Sequence, residues 1–168
     1  MILEPFTLFT PEECEEIIRA AQSEAEREGL AAGRYSPDVR NNHIYWWRHP
    51  DPGRFHHLLT QYEEYPVTWL QEPFQVSRYD TGRYYEWHTD RFVNSRTSAR
   101  LLTLTCTLQA APEARFETKD RSYELKTGEA IIFPSDMEHR ATPPIKGTRW
   151  AFTVWAMGQN PKLNKLSS

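Results

Sequence analysis

His88 and Asp90 stand two residues apart near the end of RYDTGRYYEWHTDRF, residues 78–92, a stretch of fifteen residues with five aromatics. On a strand, residues i and i+2 face the same side, so an imidazole and a carboxylate at this spacing can share one ion. Taken alone, a His-x-Asp pair is most simply a chance feature of a surface strand. His139 changes that reading: it lies 49 residues after Asp90, across about five strands of chain. Two histidines and one carboxylate form the 2-His-1-carboxylate facial triad, which leaves three octahedral positions open, as non-haem iron(II) chemistry requires. His43, His49, His56 and His57 lack such company. His56 and His57, on the second expected helix, are expected to be solvated or packed, and His43 and His49 flank an aromatic run.

Arg149 follows His139 by ten residues, in the run TRWAFTVWA. Strand alternation puts Arg149, Ala151, Thr153 and Trp155 on one face, and Trp150, Phe152 and Val154 on the other. The second set is a core face. The first mixes a charge with a hydroxyl, and a buried guanidinium needs a partner, for which a carboxylate is the best geometric match. The run ARLLTLTCTLQ divides in the same way, with Leu102, Leu104, Cys106 and Leu108 against Thr103, Thr105 and Thr107. Such a threonine face suits a polar pocket.

The elements that must position these residues are readable in outline. Thr10-Pro11-Glu12-Glu13 has the form of a capping box with proline at the first helical position. The helix is expected to run to about Glu28, stop at Gly29 and bury Cys14, Ile17, Ile18, Ala21 and Ala25. Asp51-Pro52 is expected to open a second helix through about Glu64, with Phe55, Leu58, Leu59 and Tyr62 inward. From Phe74 onward eight strands are expected: FQVSRYD, RYYEWH, ARLLTLTCTLQ, EARFET, RSYEL, EAIIFP, EHRATP and TRWAFTVWAM. Turns at Thr81-Gly82, Lys119-Asp120, Thr127-Gly128 and Lys146-Gly147 separate several of them. This is an α+β pattern built around a barrel or sandwich. The polar segment RFVNSRTS, residues 91–98, reads as a mobile loop able to close over a substrate. IYWWRHP, residues 44–50, reads as a buried strand; if one aromatic in it reaches the iron, Trp47 or Tyr45 is expected.

Composition bounds the rest. At 168 residues, 39% of them hydrophobic, the chain has the size of one globular domain. Its expected division is helical support over 1–70, a β core over 71–158 and a frayed tail over 159–168. A net charge of −3 supplies no basic field for nucleic acid. The two cysteines, Cys14 and Cys106, are too few for a disulfide framework, and a cytoplasmic setting is expected. No signal-peptide pattern and no apolar run of about 20 residues is present, so no membrane span is expected.

RYDTGRYYEWHTD and FPSDMEHRATPPIKGTRWAFTVW together resemble the two signature blocks of the prolyl 4-hydroxylase-like 2-oxoglutarate/Fe(II) dioxygenases. The first block matches Tyr79, Gly82, Tyr85, His88 and Asp90; the second matches His139, Pro143, Gly147, Arg149 and Trp155. The resemblance covers about residues 74–157 and implies a double-stranded β-helix, or jelly-roll, core supported by the N-terminal helices. It implies Fe(II) on His88, Asp90 and His139, with 2-oxoglutarate and dioxygen as cosubstrates. Arg149 would take the C5 carboxylate, Tyr79 and Thr103 would line the cosubstrate pocket, and Tyr85, Arg100 and Trp155 would lie near the substrate. Two positions depart from the family pattern. AAPEARFET, residues 110–118, replaces a Gly-Gly-acid motif, and Thr107 stands where a tyrosine is frequent.

The implied activity is hydroxylation of a C–H bond coupled to decarboxylation of 2-oxoglutarate. A prolyl residue of a peptide or protein is the first substrate class, and an amino-acid-like small molecule the next. Residues 30–50 and 91–98 are expected to set selectivity. A nucleic-acid demethylating oxygenase is disfavoured because the strand after Arg149 carries no second arginine. A non-catalytic barrel module is disfavoured because all three ligands are present, and a zinc hydrolase would leave Arg149 without a job.

Overall fold

A computed structural model describes residues 2–31 and 34–159. The tail 160–168 lies outside the described residues. After a short strand, β1 (Phe6–Thr7), the capping box forms as expected: the Thr10 hydroxyl accepts from the Glu13 amide, and the Glu13 carboxylate from the Thr10 amide, both at 3.2 Å. Helix α1 (Pro11–Ala21) buries Cys14, Ile17 and Ala21. It ends seven residues before the expected stop. Past Ala21 the stripe offers only the exposed Ala25, so continued helix would bury nothing. The chain instead forms β2 (Arg27–Glu28) and pairs with β3 (His43–Trp47). Gly29 is therefore no helix stop. Its amide donates to the Asn42 carbonyl at 3.0 Å, and a Cβ there would stand 2.2 Å from Asn42 Oδ1. Helix α2 (Gly53–Leu59) is also shorter than expected; Pro52 sits at its cap and no side chain caps it.

β4 (Trp69–Leu70) precedes the eight expected strands, all of which form: β5 (Phe74–Tyr79), β6 (Tyr85–His88), β7 (Arg100–Gln109), β8 (Phe116–Thr118), β9 (Ser122–Tyr123), β10 (Glu129–Pro134), β11 (His139–Ala141) and β12 (Arg149–Met157). They make two antiparallel sheets. The larger runs β1-β10-β7-β12-β5-β3-β2, with β4 paired to the end of β12; the smaller runs β6-β11-β8-β9. The first 70 residues thus contribute strands as well as helices. No helix among the described residues is long and apolar enough to cross a membrane.

The helices cover one face of the larger sheet. Phe55 and Leu59 of α2 and Cys14 and Ile17 of α1 pack with Leu102, Leu104, Cys106, Leu108, Phe152 and Val154. Phe9, Phe55 and Phe74 surround Phe152 at centroid distances of 5.3–5.7 Å. The alternation read along β7 and β12 holds, and their other face lines a cavity. In β3 the expected parity is reversed. Trp46, opposite Gln75 on β5, faces the cavity, while Tyr45 and Trp47 join the core.

Candidate active site

The cavity, of about 840 Å³, takes its lining from both sheets. On the smaller sheet, β6 ends and β11 begins at a directly paired position, His88 opposite His139. Asp90 lies two residues past β6, fixed by its amide donating to the Ser135 carbonyl at 2.8 Å. Its Oδ1 is 3.4 Å from His88 Nε2 and 3.3 Å from His139 Nε2. One ligand atom from each of the three residues falls within 4.8 Å of the others.

Each imidazole is oriented by the backbone. His88 Nδ1 is 2.6 Å from the Glu86 carbonyl, and His139 Nδ1 is 2.9 Å from the Met137 carbonyl. A carbonyl can only accept, so both Nδ1 atoms carry a proton, and Nε2 of each ring, turned toward Asp90, is the position that can hold either a metal or a second proton. Asp90 Oδ2 is held separately, accepting from the Thr103 hydroxyl at 2.9 Å and from Trp155 Nε1 at 3.0 Å. Thr103 also exchanges a hydrogen bond with the Ser135 hydroxyl at 2.9 Å.

The electrostatics fit a cation. Burial alone would raise the Asp90 carboxyl, but the His139 and His88 imidazoles hold it well below the usual carboxylate range. Burial opposes protonation of His139, yet Asp90 wins and raises it. His88 is lowered, by burial first and then by its neighbour His139, against the pull of Asp90. An anionic carboxylate thus faces two imidazole nitrogens in a buried cluster. This N₂O donor set suits a divalent transition metal.

Arg149 enters the same cavity from β12, paired in register with Tyr79 of β5. It is 5% exposed. Its hydrogen-bond partner is the Thr107 hydroxyl, a long contact of 3.3 Å, and its guanidinium lies 5.5 Å from the Tyr79 ring centre. No carboxylate among the described residues reaches it within 4.0 Å. Burial pulls its pKa down, as expected for a desolvated charge with no carboxylate beside it among the described residues. Arg78, also on β5, is committed elsewhere, to Glu26 and Asp80.

The other expected residues line the cavity, with duties the sequence did not disclose. Tyr85 stacks on the His88 ring at 3.4 Å, nearly parallel. Arg100 donates to Gln71 and to the Asp90 carbonyl, at 3.0 and 3.1 Å, and its guanidinium lies 3.7 Å from the Trp155 ring centre. Thr103 and Trp155, expected against cosubstrate and substrate, direct their donors at Asp90. Phe92, Ser95, Arg96 and Thr97 of the 91–98 loop line the cavity. Of the remaining histidines, His43 lies near Glu28, His49 packs edge-on against Phe55, and His56 and His57 are exposed.

Sequence reasoning missed Arg40, Gln75, Ser77 and Ser135. Gln75 and Ser77 were within reach, since Gln75, Ser77 and Tyr79 alternate with Val76 and Arg78 along β5. Arg40 and Ser135 sit in irregular chain, where no period marks a face.

The family model described as the 2OG-Fe(II) oxygenase superfamily matches residues 74–157, half of the chain. The chain belongs to the 2OG-Fe(II) oxygenase superfamily. That family works with Fe(II), 2-oxoglutarate and dioxygen. The triad fits the first, and the uncompensated Arg149 fits the second. Among curated relatives, a PKHD-type hydroxylase of Hyphomonas neptunium is 36% identical over 93 residues, covering 49% of this chain and 42% of the relative. Another, of Idiomarina loihiensis, is 30% identical over 89 residues, covering 48% and 39%. The match therefore spans less than half the length of these relatives. The fold is shared with a viral collagen prolyl hydroxylase of Paramecium Bursaria Chlorella virus-1, solved with 2OG, at a TM-score of 0.71 and 21% identity over 90% of this chain and 93% of that one. A Pseudomonas putida prolyl-4-hydroxylase matches at 0.71, with 15% identity and 92% of each chain covered.

Proposed function

We propose that this protein is a 2-oxoglutarate- and Fe(II)-dependent dioxygenase that hydroxylates a C–H bond of a prolyl residue in a peptide or of an amino-acid-like small molecule. One observation carries the reading: a His88–Asp90–His139 donor cluster and a buried arginine without a counterion open into the same cavity. We read the two sheets as a double-stranded β-helix forming a single catalytic domain, because both contribute lining to that cavity. The buried free thiols of Cys14 and Cys106 support a cytoplasmic setting.

Fe(II), when bound with 2-oxoglutarate and dioxygen, supplies the oxidant that yields succinate, carbon dioxide and the hydroxylated substrate. The chain's own residues prepare that chemistry. His88 and His139 offer Nε2, and Asp90 offers Oδ1. Glu86 and Met137 carbonyls set the tautomers, and Thr103 and Trp155 keep the carboxylate from turning. Arg149 would take the distal carboxylate of 2-oxoglutarate, for which its guanidinium offers paired donors, with Thr107 and Tyr79 beside it. The role of Thr107 here meets the family's missing tyrosine with a shorter hydroxyl. Trp46 and Tyr85 line the cavity and would hold a substrate carbon near the metal, with the exposed Phe92 at its rim.

The test is succinate release from 2-oxoglutarate with Fe(II), screened against proline-containing peptides and free amino acids. Turnover that needs each of His88, Asp90 and His139 is expected. Turnover untouched by His139→Ala would sink the proposal.

A further inference from the structure

The cavity holds more positive charge than a metal and 2-oxoglutarate can use. Six arginines line it, namely Arg27, Arg40, Arg96, Arg100, Arg140 and Arg149, against two acids, Glu28 and Asp90. Arg140 is neutralised by Glu117 and Glu86. A divalent metal and Arg149 would be balanced by Asp90 and the dianionic cosubstrate. Arg40 and Arg100, both buried or nearly so, remain uncompensated.

Arg40 is the more telling of the two. It is 6% exposed, and its three protein partners are all neutral: Asn42 Oδ1 at 2.8 Å, the Leu30 carbonyl at 3.0 Å and Gln75 Oε1 at 3.0 Å. A guanidinium has five N–H bonds, so two lack an acceptor among the described residues. Gln75 is itself buried, and its Oε1 is occupied by both Arg40 and the Ser77 hydroxyl. Its amide nitrogen donates to no described residue, and the side chain lines the cavity. The guanidinium also lies 4.4 Å from the centre of the Tyr85 ring, which stacks in turn on the metal-side imidazole of His88. Gly29 makes room for this arrangement, because a Cβ there would stand 2.5 Å from Arg40 Nε. Desolvating an arginine against neutral acceptors is costly unless an anion completes it.

We propose that Arg40 and the Gln75 amide form a second carboxylate subsite, which binds an anionic group of the substrate and anchors it beside the metal ligands. This rests on the dioxygenase reading and narrows it: the substrate carries a carboxylate, either the α-carboxylate of a free amino acid or an acidic side chain next to the oxidised residue. The cavity volume is of the size that takes a ligand of this class in addition to 2-oxoglutarate.

The test uses the full chain loaded with Mn(II), which supports no turnover, and saturated with 2-oxoglutarate so that Arg149 is occupied. Calorimetric titrations compare acetate with acetamide, L-proline with L-prolinamide, and N-acetyl-Pro-Glu-amide with its glutamine counterpart. Acetate is expected to bind saturably, and the acid member of at least one larger pair to bind ten times tighter or more than its amide. The pair that discriminates identifies the source of the carboxylate. Arg40→Gln risks misfolding by orphaning Asn42 and Gln75. Gln75→Glu is isosteric and gives Arg40 an internal counterion, so it is expected to keep the thermal midpoint while abolishing both acetate binding and the acid preference. Equal affinity for acids and amides overturns the proposal. So does an absence of saturable acetate binding, or a preference that survives Gln75→Glu. Binding of 2-oxoglutarate that ignores Arg149 would instead break the cosubstrate reading, a separate outcome.

Discussion

β7 and β12 each present two unlike faces, and the difference between them divides stability from chemistry. Toward the helices, Leu104, Cys106, Phe152 and Val154 are sealed among apolar neighbours and need nothing further. Toward the cavity, Thr103, Thr107, Arg149 and Trp155 are equally buried but polar. There the accounts close at one end only. Around Asp90 each donor meets an acceptor, whereas around Arg149 a charge is held without its counterion. A fold can carry such a deficit because the opposite face of the same strands supplies the stability.

The sharpest break in that comparison comes from the apolar side. Phe152→Ala removes a fully buried ring among three others and is expected to cost about 4 kcal/mol of unfolding free energy, read by chemical denaturation. A loss under about 1 kcal/mol would mean that this face does not support the fold. Arg149→Ala is the converse experiment. It is expected to leave the unfolding midpoint unchanged or higher, since it removes an unpaired buried charge, while weakening 2-oxoglutarate binding by about 3 kcal/mol or more. Arg149→Lys keeps charge without the fork and is expected to recover only part of this. Near-normal 2-oxoglutarate affinity in Arg149→Ala would dissolve the contrast.

Acidity sharpens it further. His139 is raised above its ordinary 6.5 by Asp90, so in the metal-free protein the ion pair stabilises the fold fully below that value. That stability is lost as pH rises through the raised value. Metal binding needs the neutral imidazole, so its affinity has the opposite trend and is expected to fall about tenfold per pH unit below the raised pKa. Mn(II) titrations between about pH 6 and pH 9 read this slope directly, and a flat profile contradicts it. The smallest effect is expected from Thr103→Val, which removes one bond to Asp90 at nearly constant volume. A loss of about 1 kcal/mol in metal affinity with Arg149 and 2-oxoglutarate binding unchanged would show that the two ends act independently.

Periodicity explains what was legible beforehand. The two faces of β7 and β12 and all eight strands after Phe74 follow from alternation and turn residues, which are local and repeat. His88 and Asp90 do converge, but Asp90 lies past the end of β6 and is placed by the Ser135 carbonyl rather than by strand alternation. The expected length of the first helix failed where tertiary pairing intervened: β2 claims Arg27 and Glu28 because β3 offers an open edge, a fact absent from the local pattern. The parity of β3 failed for a related reason. HIYWW is apolar at nearly every position, so only its register against β5 could assign Trp46 to the cavity. Arg40 was invisible because the chain around it has no period at all.

The separate handling of the two Asp90 oxygens has a consequence for coordination. With Thr103 and Trp155 both donating to Oδ2, that atom's in-plane lone pairs are spent, and only Oδ1 faces the two imidazoles. A metal held here would therefore meet Oδ1 of Asp90 alone, because the second oxygen is already bound to two donors. How much of such a metal's coordination Asp90 could occupy would then be set by an indole on β12 and a hydroxyl on β7, both on the opposite sheet from the histidines.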